Sequence, residues 1–296
     1  MANLKEVRIR IASVKSTQQI TSAMKMVAAS KLRRAQNAII QMRPFAAKLK
    51  EILQNLSASL DGGDDASVFS EQRDPTKVLL IVISSNRGLC GAFNANVIKL
   101  TNRQIEDNYA EQYKNGNVSL ITIGKKVSEY FGKRKFDVLA KHDELFDDIS
   151  FENVAPIAEG VMQSFVNKEF DKIEIIYNQF KNAATQNLVD EQFLPVEPVE
   201  LEEGVSQNAK ADYIFEPSKE EIIQDLIPKS LKVQFYKAIL DSYASEHGAR
   251  MTAMHLATDN AEELLKHLKL TYNKARQAAI TNEILEIVSG AEALKG

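Results

Sequence analysis

The sequence predicts an α/β protein: a long antiparallel coiled coil of the N- and C-terminal helices, flanking a central domain of strands alternating with helices. Three observations predict it: an unbroken heptad register at the start of the chain, a second one towards its end, and between them apolar runs of strand length separated by helical stripes. The boundaries that follow are 1–60 for the N-terminal coiled-coil helix, 61–76 for a linker, 77–196 for the central α/β domain, 197–217 for a second linker and 218–296 for the C-terminal coiled-coil helix.

Stepping by three and four residues from Leu4 reaches Val7, Ile11, Val14, Gln18, Thr21, Lys25, Ala28, Leu32, Ala35, Ile39, Met42, Ala46, Leu49, Leu53 and Leu56. Every position is apolar except the stretch Gln18, Thr21 and Lys25. A helix of that length measures roughly 80 Å at about 1.5 Å per residue, so it is expected to project and to need a partner. Asp61 to Asp65 closes it. Near the other end Val233, Tyr236, Leu240, Tyr243, His247, Arg250, Met254, Ala257, Ala261, Leu264 and Leu268 form the matching series, interrupted at His247 and Arg250. An antiparallel pairing that sets Leu56 near Ile222 brings Met24 near Met254, with the two polar interruptions close together. Ser218 with Glu221 reads as a capping box, and Pro228 predicts an early kink.

The second helix outruns the first by roughly 19 residues, about 30 Å. In that excess Ala275, Ala278, Ala279, Ile280, Ile284, Leu285, Ile287 and Val288 are spread around the axis. A helix apolar on all sides is normally enclosed, so something outside this pair must cover it.

Between the helices, Val78 to Ile83 (VLLIVI) reads as a strand buried on both faces. A turn, Asn86 to Gly91, leads to a helix from Ala92 to Tyr109. Val118–Ile123 is a second strand, Lys125–Lys133 a helix and Phe136–Ala140 a third strand. Val154, Ile157, Ala158, Val161, Met162 and Phe165 make a helical stripe. Ile173 to Tyr177 is a strand, with Leu188–Leu194 returning beside it. Such alternation implies a mostly parallel, Rossmann-like sheet with an antiparallel edge.

Charge is uneven. Residues 1–56 hold eleven Lys and Arg against Glu6 and Glu51, a local net charge of +9 within a chain of net charge −3. This basic helix suits a solvated face, an acidic protein partner or nucleic acid. The last defines an alternative function, a nucleic-acid-binding coiled-coil protein. The single cysteine, Cys90, rules out an internal disulfide. No stretch approaches the roughly 20 apolar residues of a membrane span. The four histidines lack HExxH-type spacing, the turn with Gly88 and Gly91 has no GxGxxG, and Gly124-Lys125-Lys126 lacks the rest of a P-loop. No catalytic residue, metal or cofactor is therefore expected.

Three blocks are specific. Ile11-Ala-Ser-Val with Thr17-Gln-Gln-Ile-Thr and Ala23-Met-Lys-Met-Val-Ala-Ala-Ser-Lys31, the turn Arg87-Gly-Leu-Cys-Gly91, and the tail from Tyr272 through Ile280-Thr-Asn-Glu to Gly290-Ala291 together resemble the gamma subunits of F-type ATP synthases over essentially the whole chain. The resemblance implies a rotor. The paired helices would turn inside a hexameric ring of alpha and beta subunits, while the central domain sits with the epsilon subunit on the ring of c subunits. Proton flow would drive ATP synthesis, and ATP hydrolysis the reverse, with the nucleotide chemistry on beta. The protein would lie peripherally on the cytoplasmic side of a bacterial plasma (inner) membrane. By the same resemblance Arg276 and Gln277, with Thr281 and Glu283 nearby, would contact beta at the shaft tip. Met24, Lys25 and Arg250 would lie at a level where coupling is sensitive, and Arg87 and Cys90 near the turn that meets beta.

Overall fold

The structure is a computed structural model that describes residues 4–59, 68–196 and 219–294. The linker readings at 61–67 and 197–217 and the Ser218–Glu221 cap fall outside the described residues or side chains. The order is helix α1 (Leu4–Ser59), a 3-10 turn (Val68–Ser70), strand β1 (Val78–Ile83), helices α2 (Phe93–Asn108) and α3 (Ala110–Lys114), strand β2 (Val118–Ile123), helix α4 (Lys125–Gly132), and strand β3 (Asp137–Lys141). A 3-10 turn (Asp143–Phe146), helix α5 (Phe151–Val166), strands β4 (Lys172–Phe180) and β5 (Gln186–Leu194) and helix α6 (Lys219–Ala293) complete it. The expected strands and helices are all present. The short α3 and the two 3-10 turns were not foreseen, being too short for periodicity to show. Helix α1 runs through Pro44 and α6 through Pro228.

The chain divides into two compact units, residues 30–249 and residues 1–29 with 250–296. In the first, five strands lie in the order β3-β2-β1-β4-β5, parallel except for the antiparallel β4–β5 pair. All six residues of β1 are buried because the strand is central and covered on both faces. Leu79, Ile81 and Ile83 pack with Val154, Ala158, Met162 and Phe165 of α5 and with Leu231, Phe235, Ala238 and Ile239 of α6. Val78, Leu80 and Val82 pack with Val97 and Ile105 of α2 and Val127 and Phe131 of α4. Ser150 caps α5 by accepting a hydrogen bond from the amide of Asn153 at 3.3 Å.

Here α6 carries two apolar stripes. The heptad positions Val233 and Leu240 are buried, but so are Leu231, Phe235 and Ile239, the sheet-facing set that a single-seam reading leaves out. Glycine at 248 serves the same crowding, since a Cβ there would lie 3.2 Å from the backbone of Ala183 in the β4–β5 turn.

The end of the sheet where folds of this order bind phosphates is closed by the chain itself. Ser84 Oγ accepts from the amide of Val127 at 3.2 Å and Asn86 Oδ1 from that of Lys125 at 2.9 Å, so amides at the start of α4 are already engaged. Asn86 Nδ2 donates to the carbonyl of Asp143 at 2.6 Å, tying β1 to the segment after β3. Gly124 sits at φ +103°, and a Cβ there would fall 2.4 Å from the Ser84 carbonyl oxygen. Gly124→Ala combines a forbidden φ with a backbone clash. It should destabilise the chain by about 3 kcal/mol or more, read as a lowered urea midpoint, whereas Gly88→Ala, with open space around it, should change little.

Between α2 and the β4–β5 edge, buried Glu174 lies beside half-buried Asp190. Glu174 binds Lys172 at 2.8 Å and accepts from the Tyr109 hydroxyl, and Gln104 donates to Asp190. One oxygen of each carboxylate, Glu174 Oε2 and Asp190 Oδ1, has no hydrogen-bond partner. Burial, then the charge of Glu174, push Asp190 up to about 6, against the pull of Lys172 and Gln104. A carboxyl raised on folding is protonated more readily in the native state, so its contribution is full below about pH 4 and is lost as pH rises through about 6. Asp190→Asn should therefore raise the thermal midpoint at pH 7.5 and leave it nearly unchanged at pH 4, as followed by circular dichroism.

Candidate partner-binding surfaces

The expected seam of α1 holds throughout its described positions: from Leu4 to Leu49 none of the heptad residues is exposed. In the unit formed by residues 1–29 and 250–296, three contacts fix the pairing. Arg8 Nη2 donates to the Tyr272 hydroxyl at 2.9 Å, the hydroxyls of Thr21 and Thr258 meet at 2.8 Å, and Lys25 Nζ lies 3.5 Å from His255 Nδ1. Residue numbers rise in one helix as they fall in the other, so the helices are antiparallel, within about two residues of the expected register. The Gln18 carbonyl lies 3.1 Å from Thr21 Oγ1 and the Met254 carbonyl 2.7 Å from Thr258 Oγ1. With two protons for three contacts, one hydroxyl donates to its own helix's carbonyl and accepts from the other, so both are engaged inside the seam.

Two corrections follow. The polar stretch of α1 is met by His255 and Thr258, instead of by the interruption expected at His247 and Arg250. Beyond Met254 the seam runs through half-buried Thr258, buried Ala261, Leu265 and Leu268, and half-buried Tyr272, so Leu265 replaces Leu264, which is 40% exposed. The step from Met254 to Thr258 adds a fourth residue where a strict heptad has three. Such an insertion locally changes the supercoil, because 3.6 residues per turn do not divide seven evenly.

With Arg8 opposite Tyr272, α1 ends where α6 still has several turns to run. Residues 280–294 are exposed on every side, including Ile280, Ile284, Leu285, Val288 and Ile287, the last 71% exposed. An apolar surface of this kind marks a binding surface. Arg276, Gln277, Thr281 and Glu283 are exposed on this segment, with Thr281 Oγ1 bonded back to the Gln277 carbonyl at 3.0 Å.

The remaining expected residues are scattered. Met24 and Lys25 are half-buried at the polar layer, and Arg250 is buried. In the turn after β1, Arg87 is exposed but Cys90 is only 1% exposed, its sulfur accepting from Asn94 Nδ2 at 3.2 Å. Cys90 therefore holds the turn from inside and does not present its side chain. The same turn displays a residue the sequence did not single out: Leu89, 65% exposed and in the left-handed region at φ 62°. Ser85 and Asn94 brace it through bonds of 2.9 and 3.0 Å. An exposed leucine held in an unfavourable backbone conformation points to a contact surface. His255, Thr258 and Tyr272 were also missed as pairing residues, since polar residues in a seam are recognised only with their partners in view.

An antiparallel helix pair with an uncovered apolar end, joined in sequence to a sheet whose ligand crevice is filled, defines a protein that works through protein contacts. The ATP synthase family matches the chain over residues 3–294, and the chain belongs to it. It is 61% identical over 296 residues to the ATP synthase gamma chains of Flavobacterium johnsoniae and of Flavobacterium psychrophilum, covering each chain fully. It is 58% identical over 297 residues to that of Christiangramia forsetii, again over the full length of both. Among solved structures, it resembles a chain of the mitochondrial ATP synthase of Euglena gracilis (F1 and c-ring, rotational state 3) at 20% identity, TM-score 0.66, over 98% of this chain and 94% of that one. A chain from the central stalk and c-ring of the Tetrahymena thermophila enzyme gives TM-score 0.58 at 24% identity, over 80% of this chain and 99% of that one. These two likenesses concern the fold.

The Thr21–Thr258 pair gives a direct test of the register. Thr21→Val or Thr258→Val should each cost about 1 kcal/mol by removing the hydrogen bond that joins the two helices. The double substitution should cost less than the sum of the two in a urea double-mutant cycle.

Proposed function

We propose that this chain is the central-stalk rotor subunit of an F-type ATP synthase. It couples proton flow through the membrane sector to ATP synthesis, or ATP hydrolysis to proton pumping, by rotating inside a hexameric ring of alpha and beta subunits. The observation that carries this reading is the uncovered end of α6. Five large apolar side chains, Ile280, Ile284, Leu285, Ile287 and Val288, stand exposed there with no partner among the described residues, which suits an enclosing collar formed by other subunits.

The subunit is not itself catalytic; in this proposal the catalytic sites lie on beta. Arg276 and Gln277, with Thr281 and Glu283, are the proposed beta contacts near the tip. Few, exposed, charge-assisted pairs are strong enough to transmit torque and still exchange with water during a turn. Lower down, Met24 and Lys25 present the polar layer to the ring, and Arg250 is proposed to act at the same stretch of the shaft. Arg87 and Leu89 form a third contact, displayed by the Cys90-anchored turn. The epsilon subunit and the c-ring are the proposed partners of the central domain. The complex would then hold this chain peripherally at the cytoplasmic side of the bacterial plasma membrane. Among the described residues no helix is long and apolar enough to cross a membrane. No observation favours the nucleic-acid reading, and an acidic protein partner accounts for the basic α1 equally well.

Co-expression with alpha and beta subunits tests the proposal: the chain should copurify with them and change their ATPase rate, and failure on both counts would remove it. In the assembled complex Arg276→Glu should lower ATP-driven proton pumping several-fold while leaving the circular dichroism of the free chain unchanged. Undiminished pumping would exclude Arg276 as a contact.

A further inference from the structure

Within residues 30–249, α1, β5 and α6 enclose a cavity of about 990 Å³. Ile39 and Leu49 of α1, Phe193 of β5 and Val233 of α6 give it apolar walls. Its polar lining is uneven. The carboxylate of Glu191 is served twice, by the Tyr177 hydroxyl at 2.8 Å and by Gln234 Nε2 at 2.7 Å. Asp241, on α6, is 6% exposed, lines the same cavity and accepts no hydrogen bond among the described residues. Tyr177 and Gln234 donate to Glu191 and leave the Asp241 carboxylate facing the cavity, open to a donor from outside the chain.

The charged groups of the cavity are Arg43 from α1, Asp190 and Glu191 from β5 and, on the same helix as Asp241, Lys237. Burial pushes Asp241 up to about 6 despite the attraction of Lys237 and Arg43, with Glu191 adding to the push. Both basic residues are exposed, so water and salt screen them. They still disfavour a highly charged cation. With Glu191 already occupied, Asp241 also offers too few oxygens for a metal ion.

We propose that this cavity is a binding site for a small organic monocation, a primary ammonium group seated on the Asp241 carboxylate with an apolar body against Ile39, Leu49, Phe193 and Val233. The ammonium supplies the donors that Asp241 lacks, and the walls gain from covering the apolar part. The site is separate from the residues proposed to meet beta, none of which lines it.

Calorimetric titration of the full chain with 2-phenylethylammonium tests this. Binding near or below about 1 mM is expected at pH 7. It should weaken about tenfold at pH 5, as the carboxyl gains its proton. Asp241→Asn should weaken it at least tenfold, and neutral 2-phenylethanol should bind at least tenfold more weakly than the amine. Ala46→Phe, which fills the cavity from α1 without touching the carboxylate, should abolish binding. No binding up to 10-fold above that concentration, equal binding of the alcohol, or unchanged binding in either variant overturns the proposal.

Discussion

The register between α1 and α6 is the constraint on which the functional reading depends. An apolar seam alone would tolerate sliding by a heptad, since leucine and alanine layers repeat. A hydroxyl pair does not, because a slip would leave Thr21 and Thr258 facing apolar side chains without their mutual bond. Arg8 on Tyr272, about four turns from Thr21, and Lys25 beside His255, about one turn from it, repeat the same alignment. Once that alignment is set, the length of uncovered α6 is no longer adjustable. The apolar residues past Arg276 are exposed because the described part of α1, which starts at Leu4, does not reach them.

The central domain shows the opposite use of a familiar topology. Its strand order places a crevice where related sheets take nucleotides, yet Ser84, Asn86 and Gly124 fill it with the chain's own atoms. What remains is a rigid three-layer body, with helices on both faces and α6 built into one of them. Buried Phe235 and Ile239 secure that helix to the sheet, and Gly248 lets the β4–β5 turn approach it. The sheet thus serves as a mount for the helix, and the crevice that the topology offers is filled by the chain itself.

Much of this was legible from the residues. The N-terminal heptads, the buried strand VLLIVI and the antiparallel edge each follow from periodicity, and the structure places them within a few residues of expectation. The uncovered end was legible too, since it needs only two helix lengths and a register. What the sequence hid has physical reasons. The shift from Leu264 to Leu265 comes from one extra residue between Met254 and Thr258, and a fixed heptad ruler steps over it. Pairing roles for His255 and Tyr272 depend on Lys25 and Arg8, more than two hundred residues away. Leu89 looks like an ordinary turn residue until its backbone angle is known. Asp241 reads as a solvated helix charge, and only the packing of α1, β5 and α6 around it reveals its burial.

The central claim is that the apolar end of α6 is covered by other subunits. It is tested most directly by maleimide labelling of Ile287→Cys, in the free chain and in the assembled complex, with buried Cys90 replaced by serine. The account predicts fast labelling of the free chain and labelling slowed at least tenfold, on the scale of a buried thiol, after assembly. Equal rates in the two states would contradict it.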